Sequence, residues 1–596
     1  MAAKLDSWQL WRAMAFASAF GLAYFCLRLY QNRAKIWGLL TNHCQSKPGP
    51  PHHWLFGSIP ALYNITKRLP KDVHGHTYAY YLQKEYNLPN LFYIDIWPVA
   101  PPWCVILDPD IAAQVTQGDM ALPKYKNMQR YLEPMIDAEN MVSSSGAMWK
   151  TLRTMFSPGF SPRHMVTLIP DMVDCVLPFT ETLAHLATSG EKFLMEEETT
   201  KVTVDVIGKV ILDADLNCQR SENELLNAFR DQADSLPGNS PLAMYMAWEP
   251  RRLLRQARNR RIIDGYIRNA LLERLQKNGS EDATQGDNKY VIDMALDMHT
   301  AQSHPGGLEK RKSPSSSPAP DPDFIRHSIS QMKTFLFAGH DTTSSTITYV
   351  YHLLSLNRGS LQRLRDEHER VFPGLSAAAT AAAIKADPAL LSNKSLPYTL
   401  AVLWETLRLY PAASAVRSGR AAVRVTDAAT GASYPTDGFM VWIVHWAMHR
   451  RADLFPAPLE FRPERFLSED AGLPAPPRDA WRPFEKGPRN CVGQELATLE
   501  IKIIMALTVR YFDVAAAYDG PGADRTPWGS GRRVGTPGAR MAGTSRGDAG
   551  PLPKKQGLEL NQVDGERAYQ IMIGSAKPKD GFPCRVWRVG EMPATS

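Results

Sequence analysis

The chain has 596 residues, 44% hydrophobic and 22% charged, an ordinary globular composition with ample material for a core. Its 68 basic and 61 acidic residues leave a net charge of +7, which argues against a nucleic-acid binder and permits a basic docking face. The 7 cysteines are scattered, odd in number and without a C-x-x-C pair, which argues against a disulfide framework and a zinc knuckle.

Ala13 to Leu27 is apolar, flanked by Arg12 and Arg28, with Trp8, Trp11, Tyr24 and Tyr30 placed as interfacial aromatics. The run is short of the ~20 residues that span a bilayer. A cleaved signal peptide competes with an anchor here, although no small-x-small cleavage site follows. Arg28, Arg33 and Lys35 after the run outweigh Lys4 and Arg12, offset by Asp6, before it. That bias leaves the body of the protein in the cytosol. Residues 1–46 read as membrane anchor and linker, with Lys47-Pro48-Gly49-Pro50-Pro51 as a stiff elbow.

Leu91 to Ile96 and Trp103 to Leu107 read as a strand pair. A helix from Gly146 carries Trp149 and Arg153 on one face, a spacing that alone suits a surface stack. Glu197 to Leu212 and Asn259 to Leu275 read as helices, with a break at Leu236-Pro237-Gly238-Asn239-Ser240-Pro241 between them. The run Arg251, Arg252, Arg255, Arg258, Arg260 and Arg261 suits a solvated face or a membrane surface. Residues 304–323 and 520–550 are too polar or too rich in Gly, Pro and Ala to build a core and are expected to be disordered insertions. Gly529-Ser530-Gly531 with Gly535 misses a dinucleotide fingerprint in spacing and lacks the preceding strand. The alanine-rich stretch 377–383 reads as a loop or a short helix.

Gln331 to Leu356 is the longest helical pattern. Ala338 and Gly339 would let a flat cofactor lie against it, a packing reason for a mid-helix glycine that costs about 1 kcal/mol. Thr342 can turn its hydroxyl to the carbonyl four residues back. Asp341 adds an ionisable group, so the pair suits binding dioxygen and relaying protons. An ordinary amphipathic helix with a polar stripe is the plainer alternative. Leu396-Pro397-Tyr398 opens a helix in which Glu405 and Arg408 share a face. Their apolar neighbours Val402, Leu403, Leu407 and Leu409 suggest burial, where an ion pair needs further hydrogen bonds.

Phe484 to Gly493 reads F-x-x-G-x-R-x-C-x-G and runs into helical spacing from Gln494 to Arg510. Cys491 therefore sits at a helix N-terminus, where free N–H groups and the dipole favour a thiolate. Gly487 and Gly493 allow a tight turn and close approach to a flat ligand. Arg489 offers a planar fork for a carboxylate. Together with Phe484 this set suits haem with a proximal cysteine, whereas a lone cysteine would be a small buried hydrophobe.

From about Pro48 to the C-terminus these motifs resemble the haem-thiolate monooxygenases, the cytochrome P450 family. The resemblance implies a mainly helical fold with a smaller β region, following a single membrane-anchor helix, and one haem domain over 47–596. It implies haem b with Cys491 as axial ligand of the iron, cradled by Phe484, Gly487, Arg489 and Gly493. The W-x-x-x-R helix matches at Trp149 and Arg153, which implies propionate binding. Arg417, after the extended stretch Ala412 to Val416, sits where a further propionate ligand often stands, or is a surface arginine. Ala338-Gly339-His340-Asp341-Thr342-Thr343 matches [AG]-G-x-[DE]-T-[TS] in full. That match carries dioxygen activation to Thr342 and proton relay to Asp341, and leaves His340 without a role. The family's E-x-x-R pair and P-E-R-F motif imply a structural triad of Glu405, Arg408 and Arg465.

The implied reaction inserts one oxygen atom into an apolar organic substrate and reduces the other to water, thiolate donation favouring O–O cleavage. Electrons would come from a separate NADPH-cytochrome P450 reductase landing on Lys150, Lys486 and Lys502. The implied location is the endoplasmic reticulum membrane, single-pass, with the catalytic domain cytosolic. Overall resemblance to filamentous-fungal secondary-metabolism members implies a polyketide or terpenoid substrate, with a fatty-acid or alkane hydroxylase as the alternative. A haem-thiolate isomerase or dehydratase would not need Asp341 and Thr342, and a non-catalytic haem-binding relic is the remaining class. The substrate-facing loops around 125–135, 237–248 and 570–577 carry no charge constellation that names a ligand.

Overall fold

The helix that starts in the apolar N-terminal run continues far beyond it. A computed structural model of the chain describes residues 7–42, 48–236, 249–278, 289–294, 296, 322–467, 474–518 and 562–592. Helix α1 spans Ser7–Asn42, ~54 Å at 1.5 Å per residue. Among the described residues it is the one helix long and apolar enough to cross a membrane, over Trp11–Leu40. Its later turns are not all lipid-like, since Leu29, Arg33 and Ile36 are buried against the rest of the protein. The expected elbow is no free joint either. Pro48, Gly49 and Pro50 are buried, and Tyr93 N donates to Pro48 O at 2.7 Å.

The expected insertions lie outside the described residues, except that Pro322 and Asp323 already belong to a helix. The loop 237–248 lies outside them as well. Strands β1 (Leu91–Ile94) and β2 (Trp103–Ile106) pair antiparallel, Leu91 opposite Ile106. Helices α2 (Gly146–Phe156) and α3 (Met195–Leu212) follow. Asp213 ends α3 with φ +54°, a left-handed cap. Helix α4 (Pro322–Leu356) begins earlier than its apolar periodicity shows and, at 35 residues against 36, is second in length to α1. The alanine-rich stretch is the helix Ala377–Ala386.

Helix α5 (Pro397–Leu409) opens on a proline, whose missing N–H costs nothing in a first turn. Strands β3 (Ala415–Ser418) and β4 (Met440–Ile443) complete the larger sheet, in the order β1-β2-β4-β3. Only the β2–β4 pairing in it is parallel. Helix α6 (Gln494–Thr508), β5 (Phe512–Ala516), the hairpin of β6 (Gln570–Ile573) and β7 (Ser575–Pro578), and β8 (Pro583–Arg588) close the chain.

The main core joins α3, α4, α5 and α6 through side chains such as Ile207, Met332, Leu336, Leu403, Ile503 and Leu507. Fully burying one such side chain stabilises by about 1.5–3 kcal/mol. Helices α3 and α4 approach closely enough for Thr199 Oγ1 to lie 3.0 Å from Thr348 Oγ1. Gly339 is what permits this, because a Cβ there would meet Ile207 Cδ1 at 2.6 Å. The neighbouring helix is thus one packing reason for this glycine, while Gly339, like Ala338, stays half-buried.

Candidate active site

The loop before α6 is closed by its own backbone, with Cys491 N donating to Phe484 O at 2.8 Å. The two glycines expected to act alike do different things. Gly487 has φ +79°, and a Cβ there would meet Thr116 O at 2.5 Å, so it serves the turn and the packing beneath. Gly493 has no atom within 4 Å of an ideal Cβ, so its open side offers room for a ligand. Glu485 also takes a left-handed conformation, φ +57°, at a cost of about 1–3 kcal/mol that its surroundings must offset. They do so through Arg482 Nε at 2.9 Å, His445 Nε2 at 3.2 Å and the Lys486 N–H at 3.0 Å. Burial raises the Glu485 pKa, but the hydrogen bond from His445 and the charges of His445, Arg482 and Arg417 outweigh it and hold the carboxyl well below the usual range.

Cys491 has an accessible surface yet lies deep in the molecule. Both hold if its sulfur lines an internal cleft. The expected thiolate does not follow from the helix terminus alone. Burial pushes the thiol up, and the Gly493 N–H, Arg153 and Lys124 offset this only in part. Full deprotonation needs the cation that the sulfur would ligate.

Four cations gather around this loop. Arg153 donates from both Nη atoms to Asn490, to the backbone oxygen and to Oδ1, each at 2.9 Å. Trp149 on the same α2 face stacks with Arg489, not with Arg153, the Arg489 Cζ standing 4.3 Å from the ring centroid. Arg489 Nη1 also donates to Ser144 O at 2.8 Å. Lys124 bridges Arg417 through an isolated backbone pairing. Burial, then the nearby Arg417, brings the Lys124 amine down to about 7.

Arg417 is no surface arginine. It is 1% exposed, and none of its three guanidinium nitrogens has a partner among the described residues. Charged groups so placed await an anion. A porphyrin with two carboxylate arms fits this donor set: a thiol for the metal, an open glycine beside it, and a cluster of cations in which the Arg417 guanidinium has no partner among the described residues.

On α4, Thr342 Oγ1 donates to Ala338 O at 2.8 Å, and both residues are half-buried on one face. Asp341 points elsewhere and is 2% exposed. Its Oδ2 accepts from Ser575 N at 2.7 Å, and its Oδ1 lies 3.0 Å from Lys577 Nζ. Lys577 also reaches Glu196 Oε1 at 2.5 Å. Burial lowers the Lys577 pKa, but Asp341 and Glu196 outweigh it and hold the ammonium charged. Lys577, the one charged residue of 570–577, is thus spent on carboxylates inside the protein. His340 is buried, its Nδ1 2.7 Å from Leu336 O, and Thr203 Oγ1 donates to its backbone oxygen. The β6–β7 hairpin ties α4 to the segment before β3, since Ser345 Oγ donates to Ala576 O at 2.7 Å and Ala576 N to Ala412 O at 2.9 Å.

Beneath the loop, Arg408 Nε and Nη2 clasp Glu405 at 2.7 and 2.8 Å, and Arg465 Nε reaches the same carboxylate at 3.0 Å. Arg408 also donates to the backbone oxygens of His449, Pro458 and Glu460. His449 Nε2 in turn accepts from Arg482 N at 3.1 Å, which links the triad to the cysteine loop. Lys502, expected on a docking surface, is 1% exposed and spends its ammonium on Leu391 O and Asn393 Oδ1. Lys124, Arg482, His445 and Lys577 carry no motif of their own, and only contacts across the fold mark them.

The cytochrome P450 family model matches residues 48–532. Cytochrome P450 monooxygenase polC of Polytolypa hystricis is 34% identical over 98% of this chain and 96% of its own length. Cytochrome P450 monooxygenase acrF of Aspergillus aculeatus is 32% identical over 88% of this chain and 99% of its own. The crystal structure of the cytochrome P450DA heme domain shares the fold at a TM-score of 0.62 and 17% identity, over 91% of this chain and 97% of that one. With the cysteine loop, its cationic surroundings and these matches in agreement, the chain belongs to the cytochrome P450 family and is a monooxygenase whose haem is held by a cysteine thiolate.

Proposed function

We propose that the protein inserts one atom of O2 into an apolar polyketide or terpenoid intermediate of fungal secondary metabolism. The reaction takes place at haem b bound by Cys491, in a domain covering 47–596. The observation that carries the site is the buried Arg417, whose guanidinium has no partner among the described residues, beside Lys124 and the cysteine loop. The substrate class rests on overall resemblance to fungal members, which the two fungal relatives support. When bound, the haem supplies the oxygen chemistry that side chains cannot.

The chain's own residues do the rest. Cys491 would hold the iron, with Phe484, Gly487 and Gly493 shaping its loop. Arg417, Arg153, Arg489, Trp149 and Lys124 would hold the propionates. The Glu405, Arg408 and Arg465 triad fixes the ground under the loop. Asp341, held in place by Lys577 and the Ser575 N–H, would relay a proton; Thr342 holds one at the open face of α4. Electrons come from a separate NADPH-cytochrome P450 reductase. The protein would sit in the endoplasmic reticulum membrane by a single pass, with the catalytic domain in the cytosol, a reading that the apolar length of α1 supports.

A carbon-monoxide difference spectrum of the reduced protein tests the thiolate. Cys491→Ser is expected to abolish its signature and turnover, and a serine variant at full turnover would sink the reading. Thr342→Ala is expected to keep the spectrum but divert NADPH electrons into peroxide. Full coupling in that variant would remove the role given to Thr342. Product analysis with polyketide, terpenoid and fatty-acid substrates decides the substrate class.

A further inference from the structure

The carboxylate of Asp341 is held by the β6–β7 hairpin at both oxygens. Oδ2 takes the Ser575 N–H and Oδ1 the Lys577 ammonium. The turn is pressed onto it, since Gly574 has φ +71° and a Cβ there would meet Asp341 Oδ2 at 2.8 Å. Lys577 has a second partner. Its Nζ lies 3.0 Å from Asp341 Oδ1 and 2.5 Å from Glu196 Oε1, so two carboxylates share one ammonium. Glu196 stands in the first turn of α3, where Thr200 Oγ1 donates to the same oxygen at 3.1 Å. Further ionisable groups facing this cluster are His340 on α4, Tyr131, and Arg230 and Asp234 on the helix Glu224–Asp234.

The three side chains are graded toward solvent. That of Asp341 is 3% exposed, that of Lys577 15% and that of Glu196 17%. Glu196 therefore meets water, while the hairpin closes Asp341 off from it. Two carboxylates on one ammonium leave the cluster one proton short of neutral. A proton on Glu196 and a proton on Asp341 are two states of this cluster, interchanged when Lys577 moves toward whichever carboxylate stays charged. Neither state leaves a buried charge without a partner, which is the costly alternative. Their oxygens are no further apart than the two Lys577 distances together, a gap that a single water bridges. Burial lowers the Lys577 pKa, but Asp341 and Glu196 outweigh it and hold it above the usual range. Lys577 thus moves as a counter-ion and is not itself the proton donor.

We propose that Glu196 is the port through which solvent protons reach Asp341, with Lys577 as the counter-ion that moves between the two carboxylates. A proton from water forms an O–H bond on the Glu196 carboxylate as its contact with Lys577 loosens. That bond breaks as a new one forms at Asp341 Oδ1, and the ammonium returns to Glu196. Glu196 is a positioning residue in this scheme, since it acts through Asp341. The proposal rests on the relay role given to Asp341.

The test uses the full-length haem-loaded protein with NADPH-cytochrome P450 reductase, NADPH and dioxygen, and no added substrate. It reads the share of NADPH electrons recovered as hydrogen peroxide instead of water, together with hydrogen exchange of segment 570–577. Glu196→Gln is expected to raise the peroxide share about twofold or more, a small part of the ~100-fold that a positioned acid or base contributes. The same variant is expected to leave the exchange of the hairpin as in wild type. Glu196→Asp keeps an ionisable carboxyl and should give a lower share than Glu196→Gln. Lys577→Met should raise the share and also speed hairpin exchange, because it removes a tie to α4. Asp234→Asn should change neither reading. A share in Glu196→Gln no higher than wild type overturns the port, as does an equal share in Glu196→Asp. A raised share with faster hairpin exchange overturns it too, because Glu196 would then only seat the hairpin. So does a rise in Asp234→Asn as large as that in Glu196→Gln, since any nearby charge would then serve. If Asp341→Asn leaves the share unchanged, the relay reading itself has failed, an outcome distinct from silence in Glu196→Gln alone.

Discussion

An arginine withdrawn from water with nothing to bind is a cost that the rest of a fold has to carry. Arg417 is in that position among the described residues, with the charge of Glu485 offsetting its burial only in part. If Arg417 is kept for a propionate, as proposed, that preparation comes at the expense of the haem-free protein. Arg417→Met is expected to stabilise the haem-free form by about 1–3 kcal/mol and to speed haem loss from the loaded form. Thermal unfolding of the first and haem transfer to a scavenging globin check the two signs, and destabilisation of the haem-free variant would contradict the account. Lys124 makes the same point through pH. Its folded amine sits near 7, below the ~10.4 of an unfolded lysine. Between those values the unfolded chain binds more protons, so this residue makes stability rise with pH across that window. Below about 7 its cost is constant. Stability curves of haem-free protein and of Lys124→Met should differ in slope between pH 7 and about 10, and anionic propionates in the holoenzyme should remove the difference. Identical slopes in the haem-free pair would rule out a buried amine.

At the scale of elements, the triad is the joint on which α5 meets the cysteine loop. Glu405 is fully buried and faces two arginines that are nearly so. Glu405→Gln keeps the shape but leaves both guanidinium charges without a counter-charge, and about 3–5 kcal/mol should be lost. Denaturant unfolding of the haem-loaded protein reads this directly, and a midpoint close to wild type would show that backbone oxygens suffice. These elements were legible because their chemistry is local. The cysteine motif occupies ten consecutive positions, and Glu405 and Arg408 are one helical turn apart. The supports were not legible, because nothing local marks them. Arg482 reaches Thr116 across 366 positions and Ser575 reaches Asp341 across 234. Lys502 was misplaced for a different reason. Ile501, Lys502 and Ile503 are all buried, so α6 is enclosed around its circumference there and has no polar face to read. Gly339 has a contact with Ile207 that the sequence does not announce, since one residue pattern serves a cofactor face and a helix contact alike.

For the whole molecule, the proposed separate reductase needs a landing site, and Lys150 and Lys486 are the proposed lysines that are not buried. Lys150 is exposed on α2 and Lys486 is half-buried in the cysteine loop. The two elements are locked together by Arg153 on Asn490 and by Arg489 on Trp149. Both lysines therefore belong to one rigid surface directly behind Cys491, on a chain whose net charge is already +7. Complementary charge on a partner would steer encounter more than it would tighten the complex. Exposed charges are screened over about 8–10 Å at moderate ionic strength. Charge reversal at Lys150→Glu and Lys486→Glu should then raise the reductase concentration needed for half-maximal turnover, most strongly at low salt. Turnover at saturating reductase, reduction by dithionite and the carbon-monoxide spectrum should stay as in wild type. Lys502→Gln should leave the salt dependence alone, because its ammonium is spent inside the fold. Reductase titrations of these variants at two salt concentrations decide the matter. An unchanged titration in the reversed pair would move the landing site to another face, and a changed salt slope in Lys502→Gln would mean that α6 is not enclosed as described.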